Sequence, residues 1–286
     1  MFDRRPIRNR APRSHPRPAG AATLVVLMLV AASAAPPRVS AQNEPTAADV
    51  DRIIREFAAR EQEFKLARAN YTFRQDVRVQ ELDSRGNIQF DAKGNMIEYR
   101  AVTDILFDSK GRRIEKKIEG PTDRLFRLRL TREDFDDVRN IQPFVLTTDE
   151  LPRYSIRYTG RDRVDGIPCY MFDVGPRRIE KGERYFQGTI WVDESALQII
   201  KTYGKAVPDL RKGLLDENLF PRFETYRQQI DGQYWFPAYT IAEDTLQFSA
   251  LGGGPLRVRH IIRYENYKQF TSEVKIIPQD RQGSGK

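Results

Sequence analysis

The sequence predicts a mainly β protein, β-rich α+β in class: one large curled antiparallel sheet with an N-terminal helix and short helices against its concave face. Three observations lead there. From Tyr71 onward apolar and polar residues alternate with a period of two in segment after segment. Glycine and proline turns separate those segments, and one stretch of helical periodicity precedes them all.

The first element runs from Thr46 to Ala69. Thr46 is placed as a cap, Asp49 and Asp51 fall in the first turns, and Val50, Ile53, Ile54, Phe57, Ala58, Glu61 and Phe64 share one helical face. Such a helix has to pack on something. The period then switches: Tyr71, Phe73, Gln75, Val77 and Val79 alternate with Thr72, Arg74, Asp76, Arg78 and Gln80, which predicts a strand with one dry and one wet face. Further strands are expected over 97–107, 112–119, 154–158, 170–174, 185–192, 197–203, 223–230, 234–239, 244–248 and 256–267. Short turns join several of them, the clearest being Asp231-Gly232, where glycine supplies the positive φ of a tight hairpin. About eleven strands in one sheet must curl, because flat sheets of that size are uncommon.

Two stretches break the rhythm. The segment Thr131–Asn140 opens with a capping box and acids in its first turn, so a short helix is expected. Residues 204–221 form a long connection holding Leu210, Leu214, Leu215, Leu219 and Phe220, readable either as a lid or as a turn that merely covers the sheet. No internal repeat or linker divides the chain. The expected organisation is a signal peptide over 1–41, one domain over 42–278 and a polar tail over 279–286.

The signal reading rests on Arg4, Arg5, Arg8, Arg10, Arg13 and Arg17 against the single acid Asp3, followed by the apolar stretch Leu24 to Val30. Val39-Ser40-Ala41 offers small residues for cleavage before Gln42. The alternative, an uncleaved anchor from Ala19 to Ala35, is at the bottom of the spanning range. Cleavage removes seven arginines against one acid and takes the net charge from +8 to +2. The remaining Lys and Arg are interspersed with nearly as many acids, which argues against nucleic-acid binding. Cleavage also removes His15, and Cys169 is the only cysteine of the whole sequence, so no disulfide forms within the chain and no cysteine stands where a lipid anchor would be attached. A free, monomeric, periplasmic product is expected.

Catalytic chemistry finds little to work with. The remaining histidine, His260, alternates in phase with Leu256, Val258, Ile262 and Tyr264, on the face expected to be buried. Cys169 sits in an apolar strand entry without the basic neighbours that activate a thiolate. One His and one Cys cannot supply the usual zinc set, and no phosphate-binding glycine loop occurs, so neither metal nor cofactor is expected. Asp134, Asp136 and Asp137 read as the solvated face of a short helix. A carboxylate-pair hydrolase stays open, because any two acids can converge across a cleft. The expectation is a protein that is not an enzyme.

What remains is an apolar concavity. Aromatic residues crowd the expected strands, and one helix is scant cover for so wide a sheet. The candidate lining of an apolar cavity is Phe57, Phe73, Val77, Tyr99, Phe172, Phe186, Trp191, Phe223, Trp235 and Phe236.

The helix running into Asn70-Tyr-Thr-Phe-Arg-Gln75, the hairpin Phe186-Gln-Gly-Thr-Ile-Trp-Val-Asp193 with Leu197-Gln-Ile-Ile-Lys201, and Asp231-Gly-Gln-Tyr-Trp-Phe-Pro237 resemble the bacterial outer-membrane lipoprotein-sorting (LolA/LolB-like) superfamily, over roughly Ala47 to Ile277. The resemblance implies an eleven-stranded open half-barrel with helices over its mouth. It also implies a greasy interior that shelters lipid or lipoprotein acyl chains, a periplasmic location and transient hand-over to a membrane protein. On that reading the helix at Val50–Phe64 and the 204–221 connection open and close over the ligand. Relatives that act as envelope sensors or scaffolds suggest the alternative, a cavity that holds a partner protein or peptide.

Overall fold

The structure, a computed structural model, describes residues 44–108, 110–208, 222–246 and 254–270. The expected signal segment, the tail and all but the first few residues of the 204–221 connection lie outside the described residues.

Helix α1 (Ala47–Arg68) begins where expected. Thr46 and Asp49 form a reciprocal capping box: the Thr46 hydroxyl accepts from the Asp49 amide at 3.2 Å, and the Thr46 amide donates to the Asp49 carboxylate at 3.1 Å. Ten strands follow: β1 (Tyr71–Leu82), β2 (Glu98–Phe107), β3 (Arg113–Asp123), β4 (Tyr154–Val164), β5 (Ile167–Pro176), β6 (Tyr185–Asp193), β7 (Ile199–Val207), β8 (Phe223–Gln229), β9 (Trp235–Leu246) and β10 (Leu256–Gln269). Helix α2 (Arg132–Asn140) and a single 3-10 turn, Leu151–Arg153, lie between β3 and β4.

All ten strands form one antiparallel sheet in the order β3-β2-β1-β10-β9-β8-β7-β6-β5-β4. Two meanders, β1 to β3 and β4 to β10, are joined along the β1/β10 seam, which runs from the Tyr71–Gln269 pair to the Leu82–Arg257 pair. The sheet is an open half-barrel: β3 and β4 are its two edges and do not pair with each other. The β3 edge is guarded by charge and by Pro121, as a strand open to other chains needs to be.

Among the described residues ten strands stand in place of the expected eleven, because 234–239 and the described part of 244–248, through Leu246, belong to one strand. Ala242, Glu243 and Asp244 keep their pairing with His260, Arg259 and Val258, so the polar stretch between the two apolar ends does not break the ladder. A second correction concerns Gly204, expected to open a long connection. It lies inside β7, opposite Gly188 of β6, and a side chain there would come within 2.6 Å of the Phe186 ring. Glycine is needed because Phe186 fills that space on the concave face.

The concave side is the core. In its larger cluster Ile53, Phe57 and Ala58 of α1 meet Phe172, Phe186, Ile190 and Phe223 of the sheet, with Phe57 and Phe172 ring centres 5.4 Å apart. One turn short of its C-terminus the helix inserts Phe64 edge-on against Phe236 at 5.2 Å. A further cluster under β1, β2 and β10 is closed by Val138 of α2 and is built on Phe73, Ile105, Ile262 and Tyr264. Among the described residues no helix is long and apolar enough to cross a membrane.

Phe57 has no exposed surface whereas Leu66, on the outer face of the same helix, is 66% exposed. Phe57→Ala is therefore expected to cost about 3–5 kcal/mol, and Leu66→Ala to stay within about 0.5 kcal/mol of the parent. Urea unfolding midpoints of the two variants check this, and equal losses would show that α1 does not depend on its inner face.

Candidate functional site

The concave face lies on alternate residues of every strand. In one cross-strand row the inward positions are Val77, Ile262, Thr240, Thr225, Thr202, Ile190 and Phe172, successive partners in the ladders. The middle of that row is three threonines. Thr225 and Thr240 share a hydrogen bond of 2.8 Å, and Thr225 donates to the Gln142 carbonyl at 2.9 Å. A polar strip therefore runs down the floor of the half-barrel, with apolar surface on either side.

Beside that strip stands a buried ion pair. Glu61, the one acid on the inner face of α1, accepts from Arg227 of β8 at 2.9 and 3.0 Å, and both side chains are almost wholly buried. Glu61 also accepts the Ile199 amide at 3.0 Å, and Arg227 donates to the Phe144 carbonyl. Its guanidinium lies 5.1 Å from the centre of the Phe64 ring. Four pieces of the molecule (α1, β7, β8 and the chain after α2) meet at these two residues.

The residues proposed for the lining distribute unevenly. Phe57, Phe172, Phe186 and Phe223 share the large cluster under α1. Phe73 and Val77 belong to the cluster under α2, Phe236 packs with Phe64 and Tyr71, and Tyr99 lies 5.5 Å from Phe135 of α2. Trp191 and Trp235 are elsewhere: because Ile190, Val192 and Phe236 point inward, both tryptophans project from the convex face, where they pack with Cys169 and Ile200. There the Trp191 indole donates to Asp162 at 3.0 Å, and Lys201 sits 4.8 Å from the centres of both the Trp191 and the Tyr226 rings. Aromatic character alone put these two on the inside; strand phase puts them outside.

The groups with latent chemistry are buried. His260 has no exposed surface, lies 3.5 Å from Gln142, and burial pulls its pKa down to about 3. Burial likewise pushes the Cys169 thiol up to about 11, away from a reactive thiolate. The acidic cluster of α2 is not the solvated face expected of it. Asp134 closes a capping box with Thr131 at 2.8 and 2.9 Å, and Asp137 is paired with Arg184 at 3.0 Å. Among the described residues no group of His, Cys, Asp and Glu is arranged to hold a metal.

A pocket of about 190 Å³ opens between the C-terminal ends of α1 and α2. Arg68, Arg113 and Arg139 line it together with Phe107, Tyr264 and Tyr267. None of its arginines stood out in the sequence, since they come from two helices and an edge strand. Glu61 did carry a signal: an acid in the apolar stripe of a helix needs a buried cation, though nothing in the sequence says which one.

No protein-family model and no curated protein matches the sequence. Solved structures similar to this chain include a DUF1329 family protein from Desulfovibrio piger, 14% identical, covering 76% of this chain and 92% of the other with a TM-score of 0.35. A LolA superfamily protein from Nitrosomonas europaea is 15% identical over 76% and 93%, with a TM-score of 0.34. An outer membrane lipoprotein-sorting protein domain from Vibrio parahaemolyticus is 12% identical over 76% and 94%, also with a TM-score of 0.34. What the concave face can hold is decided by the residues described above.

Two outcomes follow from the buried groups. Glu61→Leu or Arg227→Met alone leaves an uncompensated buried charge and is expected to cost about 3–5 kcal/mol, while the double variant Glu61→Leu/Arg227→Met costs less than the sum. Denaturant unfolding of the three variants measures it, and additive losses would mean the pair is not coupled. For His260, the ring is neutral in both states above its ordinary pKa of 6.5. As pH falls below that value the unfolded chain takes up a proton that the folded chain refuses, so stability drops by up to about 1.4 kcal/mol per pH unit. His260→Gln should flatten the stability profile between pH 6.5 and about 5, above the range where carboxylates titrate; an unchanged slope would assign it to other groups.

Proposed function

We propose that this chain is an exported, non-enzymatic binding protein of the cell envelope. It takes the apolar part of a ligand, such as a lipid or lipoprotein acyl chain, into the concave face of its half-barrel. Residues 1–41 are its secretory signal and 42–278 its single working domain. The observation that carries this reading is the manner in which the concave face is covered. Over β4 to β8 the cover is the N-terminal half of α1 beside Ile141, Phe144 and Leu146 of the chain after α2, and the helix half rests there on apolar side chains: Ile53 and Phe57 pack with Phe172, Phe186, Ile190 and Phe223. Among the described residues the polar tie from the helix itself to the sheet, at Glu61, is farther along it, while just ahead of the helix Glu44 accepts from the Tyr158 hydroxyl of β4 at 2.6 Å.

A helix fixed at Glu61 and free of ladder bonds can lift its first three turns once the exposed Glu44–Tyr158 contact opens. Lifting Ile53 and Phe57 costs about 3–6 kcal/mol of apolar burial, and a chain of about 14 carbons returns on the order of 10 kcal/mol before its ordering cost is counted. The two numbers are close enough for uptake and release to be reversible, which a carrier requires. Phe57, Phe172, Phe186 and Phe223 are the lining residues of this trough; Phe73, Val77, Tyr99 and Phe236 would line its extension toward β1. Trp191 and Trp235 have no part in it. The burial of His260 and Cys169, neither facing an opening, supports a role without catalysis.

Purified chain analysed by native mass spectrometry and organic extraction is expected to carry lipid, or to bind a fluorescent fatty-acid probe after stripping. On loading, amide exchange should quicken over 47–58 and stay slow over 61–68. A chain that carries no lipid and ignores the probe, yet captures a peptide or membrane protein, would move the assignment to the sensor or scaffold reading.

A further inference from the structure

The pocket between α1 and α2 has a charge that no ion pair among the described residues balances. Arg113 is spoken for: it donates to Glu115 at 2.9 Å and to Gln75 at 2.8 Å. Arg139 is too, with bonds to the same Glu115 at 2.9 and 3.3 Å and to Asp136 at 3.2 Å. Glu115 is thus shared by two guanidinium groups. Burial alone would raise its pKa, but the hydrogen bonds from Arg139 and Arg113 outweigh that and hold the carboxyl below its ordinary value.

Arg68 has no such partner. Among the described residues it makes no ion pair and no side-chain hydrogen bond; its guanidinium touches only rings, 5.8 Å from the centre of Phe64 and 6.0 Å from that of Phe107. It lies in the last turn of α1, where a cation normally reaches into water while favouring the helix dipole. Here it turns into a pocket instead. Burial, then repulsion from Arg227, pulls its pKa below the ordinary value. Arg68 is half-buried, so its guanidinium is partly desolvated beside another cation, and among the described residues no acceptor meets its five N–H donors, which are left to solvent in the pocket.

The walls say what kind of anion fits. Opposite the arginines are the rings of Tyr264 and Tyr267, and Phe73 stacks on Tyr267 at 5.2 Å. A small hydrated ion would leave those rings unused, whereas an acid group carried on hydrocarbon would use both sides. We propose that this pocket binds the acid headgroup of an amphiphile: its oxyanion accepts from Arg68 in a bidentate fork, Arg113 and Arg139 add to the field, and the first carbons lie against the tyrosine and phenylalanine rings. The inference rests on the carrier reading and narrows it, from apolar ligands in general to anionic ones.

The test compares dodecanoate, dodecyl phosphate and 1-dodecanol on the whole mature chain, by displacement of a neutral fluorescent lipid probe. The parent should bind at least one of the two acids tenfold or more tighter than the alcohol, and the tighter of them names the headgroup. Arg68→Gln should bring both acids down to the level of the alcohol and leave the alcohol unchanged. Arg68→Lys should keep a weaker preference for the acid. Thermal unfolding separates this from a structural role: without ligand, Arg68→Gln should melt no lower than the parent, because it removes a charge without an ion-pair partner among the described residues, and the acid should raise the melting temperature of the parent more than that of Arg68→Gln. Equal binding of acid and alcohol by the parent, or an acid preference that survives in Arg68→Gln, overturns the headgroup site and leaves the carrier reading intact. Binding of none of the three ligands overturns both.

Discussion

The arrangement of the whole concave side depends on the Glu61–Arg227 pair. Two charges taken out of water seldom add net stability, but once buried they tolerate few alternative partners. Sliding α1 by one turn would bring Phe57 or Lys65 to the place of Glu61. The first leaves Arg227 alone and the second sets a cation against it. The pair thus fixes the register of a helix that shares no ladder with the sheet. With Glu61 seated, its carboxylate meets the Ile199 amide, and Arg227 reaches the Phe144 carbonyl, so the chain leaving α2 is placed by the same two residues. Phe57 and Phe64 then fall on opposite sides of the pair, one into each part of the core.

That division is the main difference between this interior and the uniformly greasy one implied by the resemblance. The threonines at 202, 225 and 240, with His260 and Gln142 close by, put polar groups at the middle of the floor. Each of the two apolar basins has its own cover, the first half of α1 with Phe144 and Leu146 over one, and α2 with the segment around Leu125 and Leu128 over the rest. On the proposed reading, a ligand tail and its headgroup would meet different chemistry according to which basin they entered. The arginine pocket belongs to the second.

Much of the scaffold was legible in the sequence because its causes are local. The capping boxes at Thr46 and Thr131 and the period-two strand after Asn70 depend on residues a few positions apart, and both helices and β1 begin within a residue of where these signals put them. Strand phase placed His260 inside for the same reason. What was not legible depends on partners far apart in the chain. The polar stretch Glu243-Asp244 reads as a break until its pairing with Val258 and Arg259 is known. Asp137 reads as solvated until Arg184, far along the chain, is seen to reach it. Arg68, Arg113 and Arg139 are three of many arginines, and only the folded chain brings them around one opening. The two tryptophans are the exception, because the alternation that assigns them to the outside is present in the sequence itself.

The seam between β1 and β10 also governs when the molecule can assemble. Tyr71 and Gln269 are almost as distant in sequence as the described chain allows, yet they are neighbours in the finished sheet. Closing so long a loop is entropically unfavourable and slow, and the seam has no partner for β1 until the last strand has been made. The hairpins of β4 to β9 can form as they appear, but β1 to β3 wait as a three-stranded sheet with one bare side. A chain passing through a membrane with its N-terminus leading would emerge with its beginning unfinished and be completed by its end. Compactness then comes last, after the whole polypeptide has crossed.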